Sequence, residues 1–259
     1  MVKLIVSDLD GTLLTGDKNI SPYTLSILEV CRKRGIKFAI ATSRSEKSSK
    51  RFIDSINPDA AILNGGALLI NGKGTSMYKK LLSSEAAGGI IDACIKSNQI
   101  GNITVETEKA YYTTFKEPGT FPGSIDYMHG KYYDFQKPLS QEAYKVTVEI
   151  YSPKTAKEIE DTFTECKMVS FTGENWYSFT HKETGKMAAI EILARNEKLR
   201  VEDIIAFGDD NNDLDMIRGC GTGVAMENGI DEIKKAAKFI CGSNSNDGVG
   251  KWIEKNILL

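Results

Sequence analysis

The stretch MVKLIVSDLDGTLL (residues 1–14) sets the reading of the chain. Leu4, Ile5 and Val6 form a short apolar run with two β-branched members, as suits a buried strand. Two carboxylates, Asp8 and Asp10, stand where that strand should end, and Gly11 follows them. Residues i and i+2 of an extended chain point to one side. Both acids are therefore expected to face one shared site at the mouth of the core.

Outward from this strand the chain alternates. SPYTLSILEVCRKRG (21–35) reads as a helix, with Ser21 to cap it, Pro22 in its first turn and Gly35 to end it. IKFAIATS (36–43) is a continuous apolar strand, and SEKSSKRFIDSIN (45–57) is a helix with Ser45 as cap, broken by Pro58. DAAILNGG (59–66) is a third strand. The same grammar returns late in the chain. ETGKMAAIEILARNEKL (183–199) is helical, EDIIAFGDD (202–210) a strand and NNDLDMIRG (211–219) a short helix, with TGVAM and KFICG as further strands. This predicts an α/β fold, a doubly wound and mainly parallel sheet in a Rossmann-like core. Such sheets bind ligands at the carboxyl ends of their strands, where Asp8, Asp10, Thr42 and Asp209 all fall.

The middle of the chain changes character. Alternating, aromatic-rich strands such as NITVETE, AYYTTF, AYKVTVEIY, MVSFT and WYSFTH are interleaved with two helical stretches. The expected organisation is a core formed by 1–81 and 185–259, with an inserted α+β domain over 82–184. The insertion holds 10 Lys and no Arg against 15 acidic residues, and the whole chain of 259 residues carries a net charge of −2. Neither balance suits a nucleic-acid or anionic-membrane partner. Five widely spaced cysteines without a CxxC pair read as reduced thiols, not a disulfide frame or zinc site. No apolar run is long enough to span a bilayer, and Asp8 precedes any signal-peptide apolar region, so a cytoplasmic location is expected. Oligomeric state is not legible.

Asp209 and Asp213 lie at the end of a late strand and the start of the next helix. If the sheet gathers them with Asp8 and Asp10, up to four carboxylates share a pocket. Such crowding requires protonation or a cation. Oxygen-only donors favour a hard ion, Mg²⁺ above all where phosphate is also bound. Thr42, with its hydroxyl, and the Thr42–Ser43 backbone N–H groups suit an anion, and Lys186 can aim an ammonium from a helix start. Metal, lysine and oriented N–H groups together describe a phosphoryl site. Taken singly, each feature has a plainer reading: a solvated turn for Asp8 and Asp10, an N-cap for Thr42, a surface lysine for Lys186, a cap or surface pair for Asp213. Arg44 suits either substrate or an ion pair. The only histidines, His129 and His181, fit surface or packing roles better than catalysis. GCGTG (219–223) precedes a strand instead of following one and is no dinucleotide fingerprint. Tyr111, Tyr112, Tyr132 and Trp176 fit sheet core better than a substrate wall.

In order, SDLDGTLL, ATSR, TGKMAAIE and GDDNNDLDM resemble the four motifs of the haloacid dehalogenase-like superfamily of phosphohydrolases. AMENGIDEIKKAAKFI and NDGVGKWI are similar to the Cof-type subfamily, whose large cap domain sits where this chain has its insertion. The resemblance implies Asp8 as the nucleophile that takes the phosphoryl group, and Asp10 as the acid and base. It implies Mg²⁺ on the Asp8 side chain, the Asp10 carbonyl and Asp209, with Asp213 supporting the metal's waters or orienting Lys186. Thr42, Lys186 and Asn212 would contact phosphate, with Ser43 and Arg44 beside them. Ser43 and Met187 stand where the subfamily usually has Gly, so Ser43 would narrow the phosphate cup. The implied activity is a phosphatase acting on a small phosphorylated metabolite through an aspartyl-phosphate. A phosphotransferase or phosphomutase shares that intermediate, and a non-enzymatic phospho-acceptor module shares the carboxylate cluster.

Overall fold

A computed structural model describes residues 2–116, 130–137 and 139–259. His129 lies outside the described residues. The chain divides into two compact units, Met1–Lys79 with Gly185–Leu259, and Lys80–Thr184.

The first half of the first unit runs β1 (Leu4–Ser7), α1 (Pro22–Lys33), β2 (Lys37–Ala41), α2 (Glu46–Ile56), β3 (Ala60–Leu63), β4 (Leu68–Asn71) and β5 (Ser76–Lys79). The inserted unit runs α3 (Ser84–Lys96), β6 (Ile100–Glu106), β7 (Tyr111–Thr113), β8 (Lys131–Tyr132), β9 (Lys145–Ile150), α4 (Pro153–Thr162), β10 (Cys166–Ser170) and β11 (Trp176–His181). The first unit resumes with α5 (Lys186–Asn196), β12 (Ile204–Gly208), α6 (Leu214–Gly219), β13 (Thr222–Met226), α7 (Asp231–Ala236), β14 (Phe239–Cys241) and α8 (Gly248–Ile253).

The strands of the first unit form one sheet in the order β14-β13-β12-β1-β2-β3-β4-β5. β14 through β3 are parallel, and β4 and β5 add an antiparallel hairpin. The sequence reading had no signal for that hairpin as separate strands, because Leu68–Asn71 continues the apolar run of β3 across the Asn64–Gly66 turn. β1 is buried over its whole length between β12 and β2, and this is why its residues read as an unbroken apolar run. One face packs Leu4, Val6, Ala39, Ile62 and Ala206 against Ala189, Ile190 and Leu193 of α5 and Met216 and Ile217 of α6. Helix starts follow the local chemistry. Ser21 Oγ accepts from the Thr24 amide at 3.0 Å, and Ser45 and Ser48 form a reciprocal capping box at α2.

The inserted unit is a separate six-stranded sheet, β10-β11-β9-β6-β7-β8, with its own core. Ile103, Val105, Val146, Val148 and Phe179 pack with Ala87, Ile90 and Ile91 of α3 and Ala156 and Ile159 of α4. Trp176 is buried and Tyr112 packs on this core, but Tyr132 is 51% exposed on the edge strand β8 and is not a core residue. His181 is buried, and its Nδ1 accepts from the Glu183 amide at 3.1 Å in a turn. Among the described residues no helix is long and apolar enough to cross a membrane.

Candidate active site

Three neighbouring parallel strands, β12, β1 and β2, end side by side and deliver Asp209, Asp8 and Thr42 to one edge. The amide of Asp8 still donates to Phe207 O at 3.0 Å, so the sheet ladder fixes the base of that side chain. Asp8, Asp209 and Asp213 each turn an oxygen inward, and these oxygens lie within 4.8 Å of one another.

Lys186, the first residue of α5, is 1% exposed. Its Nζ donates to Asp8 Oδ1 at 2.7 Å and to Asp213 Oδ1 at 2.5 Å. Burial works against its charge, but Asp213 and Asp8 outweigh that and hold the ammonium above the ordinary lysine value. Asp213 spends its other oxygen on the amides of Asp209 and Asp210, at 3.0 and 3.2 Å. It thus orients both Lys186 and the loop that carries Asp209. Burial pushes Asp8 well above the carboxylate range; Lys186 pulls it back in part, and Asp213 and Asp209 push it further. Burial likewise raises Asp209 to about 7, against the hydrogen bond from Thr12 Oγ1 to its Oδ1 at 2.5 Å.

Asp10 departs from the expectation of a shared acidic site. The chain does not stay extended after Asp8 but turns over Leu9–Leu13, with Gly11 at φ +77°. The Asp10 carboxylate therefore leaves the cluster. Arg44 Nε donates to its Oδ2 at 2.6 Å, Arg44 Nη2 to its Oδ1 at 3.0 Å, and Lys18 Nζ to its Oδ1 at 2.8 Å. Burial raises its pKa, but Arg44 and Lys18 prevail and bring it to about 2. The structure gathers three of the four acids, and Arg44 forms an ion pair with the fourth.

Thr42 also differs from expectation in one respect. Its amide is not directed at an anion, because the β2–β3 ladder runs one residue further and it donates to Ile62 O at 2.8 Å. Its hydroxyl accepts from the Arg44 amide at 3.1 Å. Ser43 Oγ accepts from Asn212 Nδ2 at 3.0 Å, which joins the second and fourth motifs. Asn212 Oδ1 is buried with no hydrogen-bond partner among the described residues.

Several contributing residues gave no signal in the sequence. Thr12 holds Asp209. Asn228 Nδ2 donates to Gly11 O at 2.8 Å, and its Oδ1 accepts from the Asn244 amide at 2.9 Å. Asn244 Nδ2 donates to Leu14 O at 2.7 Å, so two loops brace the turn after Asp8. A Cβ at Gly11 would lie 2.2 Å from Asp209 Oδ2, and one at Gly66 (φ +97°) would lie 2.1 Å from Gly185 O. Both glycines are close-approach positions, one against Asp209 and one against the residue before Lys186.

A family model described as haloacid dehalogenase-like hydrolase matches residues 5–253. The chain belongs to the haloacid dehalogenase-like hydrolases. Among members of this family, a 5-amino-6-(5-phospho-D-ribitylamino)uracil phosphatase of Bacillus subtilis is 27% identical over 261 residues, covering 97% of this chain and 96% of that protein. An HMP-PP phosphatase of Klebsiella pneumoniae is 24% identical over 241 residues, covering 90% and 87%. A haloacid dehalogenase-like hydrolase from Bacteroides thetaiotaomicron superposes with a TM-score of 0.82 at 25% identity, covering 98% and 99% of the two chains. The matched span of this hydrolase takes in SDLDGTLL, ATSR, TGKMAAIE and GDDNNDLDM, the stretches that carry Asp8, Thr42, Lys186 and Asp209.

Proposed function

We propose that the chain is a Mg²⁺-dependent phosphatase that hydrolyses a small phosphorylated metabolite through an aspartyl-phosphate on Asp8. The observation that carries this reading is the buried Lys186 ammonium held between Asp8 and Asp213, with Asp209 in the same cluster. Three converging carboxylates against one ammonium leave an excess of negative charge in a buried place. Burial first, and the neighbouring carboxylates after it, raise the proton affinities of Asp8 and Asp209. An oxygen-only donor set of this kind fits a hard divalent ion. Asp8 and Asp209 would hold it with the Asp10 carbonyl, and Asp213, already engaged with Lys186 and two amides, would support them. Such an ion, when bound, offsets repulsion between carboxylate and phosphate.

In the first half-reaction an Asp8 oxygen bonds to phosphorus and the bond to the leaving oxygen breaks. That oxygen takes a proton from Asp10, which must first acquire one, because Arg44 and Lys18 hold its carboxylate ionised in this structure. In the second half a water oxygen bonds to phosphorus, the Asp8–phosphorus bond breaks, and Asp10 takes the water's proton. Lys186 offsets charge on the transferred group, and the Thr42 hydroxyl and Asn212 amide supply further contacts. The inserted unit stands in the sequence where the Cof-type resemblance implies a cap domain. One of the two relatives is named for a 5-amino-6-(5-phospho-D-ribitylamino)uracil substrate and the other as an HMP-PP phosphatase, and this supports a small phosphorylated metabolite as substrate here. Asp8→Asn should abolish phosphate release from p-nitrophenyl phosphate in Mg²⁺. Retained turnover would refute the nucleophile.

A further inference from the structure

Asp10 is held by two cations from different loops. Arg44 meets it with a two-nitrogen fork, at 2.6 and 3.0 Å, and Lys18 caps one of the same oxygens at 2.8 Å. Arg44 is itself fixed. Its side chain is 12% exposed, its guanidinium stacks over Phe52 at 5.1 Å, and its Nη1 donates to Ser48 O at 3.4 Å. Lys18 stands at a φ of +55° in a turn where its amide donates to Thr15 O at 2.9 Å, and its side chain is half-exposed. A forked pair sets the plane of a carboxylate as well as its position, which a lysine alone does not.

We infer that Arg44 and Lys18 are positioning residues that hold the Asp10 carboxylate for its work as base in the dephosphorylation of Asp8. The inference rests on the phosphatase reading above and goes beyond it, since it removes Arg44 from the phosphate contacts and gives Lys18 a role. In that step the water oxygen bonds to phosphorus, the Asp8–phosphorus bond breaks, and the water's proton passes to the oriented carboxylate. Losing the orientation slows this step and leaves phosphate binding intact.

The experiment is pre-steady-state turnover of p-nitrophenyl phosphate in Mg²⁺, with phosphoenzyme measured by intact mass after acid quench. Arg44→Lys should lower kcat about 10- to 100-fold, as misplacement of a reacting group does. Lys18→Ala should lower it about 2- to 5-fold, as befits an exposed pair. Both should accumulate more phosphoenzyme than wild type while inhibition by inorganic phosphate stays within about 2-fold. Lys18→Arg should restore turnover. In an Asp10→Ala background Arg44→Lys should cost nothing further. A phosphate inhibition constant raised tenfold or more by Arg44→Lys would overturn the inference and return Arg44 to phosphate binding. So would full multiplication of the Arg44 and Asp10 effects, or a kcat loss without phosphoenzyme. If Asp8→Asn is inert and these variants behave in one of those ways, only this inference fails. If Asp8→Asn still turns over, the phosphatase reading fails with it.

Discussion

Lys186 is the residue on which the candidate site depends. Its ammonium is buried between two buried carboxylates. Lys186→Met keeps the volume but leaves Asp8 and Asp213 to repel one another. Breaking one side of a buried ion pair costs about 3 kcal/mol or more. Urea unfolding of this variant should show a loss of that size, and its kcat/KM on p-nitrophenyl phosphate should fall about 10²–10³-fold, the usual effect of losing one aimed donor. An unchanged midpoint would mean that the ammonium is not needed to hold the two acids. Gly11 supplies a second prediction at this scale. Gly11→Ala puts a methyl at 2.2 Å from Asp209 Oδ2 and forces an unfavourable φ of +77°. Asp209 must turn away, so the Mg²⁺ concentration for half-maximal activity should rise by at least about tenfold. The same value as wild type would show that Asp209 does not hold the ion.

At the scale of elements, the parallel strands and their capped helices were legible because each carries its own local signal. β1, β2 and β12 are apolar except for Ser7 and Lys37 at strand ends, α1 and α2 open on serine caps, and Lys186 opens α5 just where its motif places it. The turn after Asp8 was not legible. Period-2 alternation describes a strand, and nothing in LDGTL says that the strand has ended except Gly11. What holds the turn is remote, namely Asn228, Asn244 and the Arg44–Lys18 pair on Asp10, all joined by tertiary contact. The seat of α5 is equally remote. Gly66 lets the Asn64–Gly66 turn meet Gly185 O, where a Cβ would stand at 2.1 Å. Gly66→Ala should therefore push the start of α5 away from Asp8. Its thermal midpoint should fall, by an amount equal to about 2 kcal/mol, and kcat should drop about 10-fold or more through the shift of Lys186. Destabilisation with wild-type kcat would show that α5 yields without moving the ammonium.

For the whole molecule the consequence is a linkage between protons, a divalent ion and folding. Asp209 titrates near 7 in the folded, ion-free chain, against an ordinary value of 3.8. Between those values the folded state keeps a proton that the unfolded chain has lost, so the stability owed to this group falls as pH rises through that window. Asp8 shifts in the same direction. His181, whose pKa burial lowers, works with the opposite sign near neutrality. A bound ion must displace the protons on Asp8 and Asp209, so its affinity rises with pH, by up to about tenfold per unit for each proton released. The His181 effect is common to the ion-free and ion-bound protein and cancels between them. Melting with chelator and with Mg²⁺ should then show a larger Mg²⁺-induced rise at pH 7.5 than at pH 5.5. At one hundred times the dissociation constant the gain is about 2.7 kcal/mol. Asp209→Asn should flatten the difference, because it removes both the ligand charge and the competing proton. An equal rise at both pH values in the wild-type protein would mean that the ion does not bind among these carboxylates, and their crowding would then have to be relieved by protons alone.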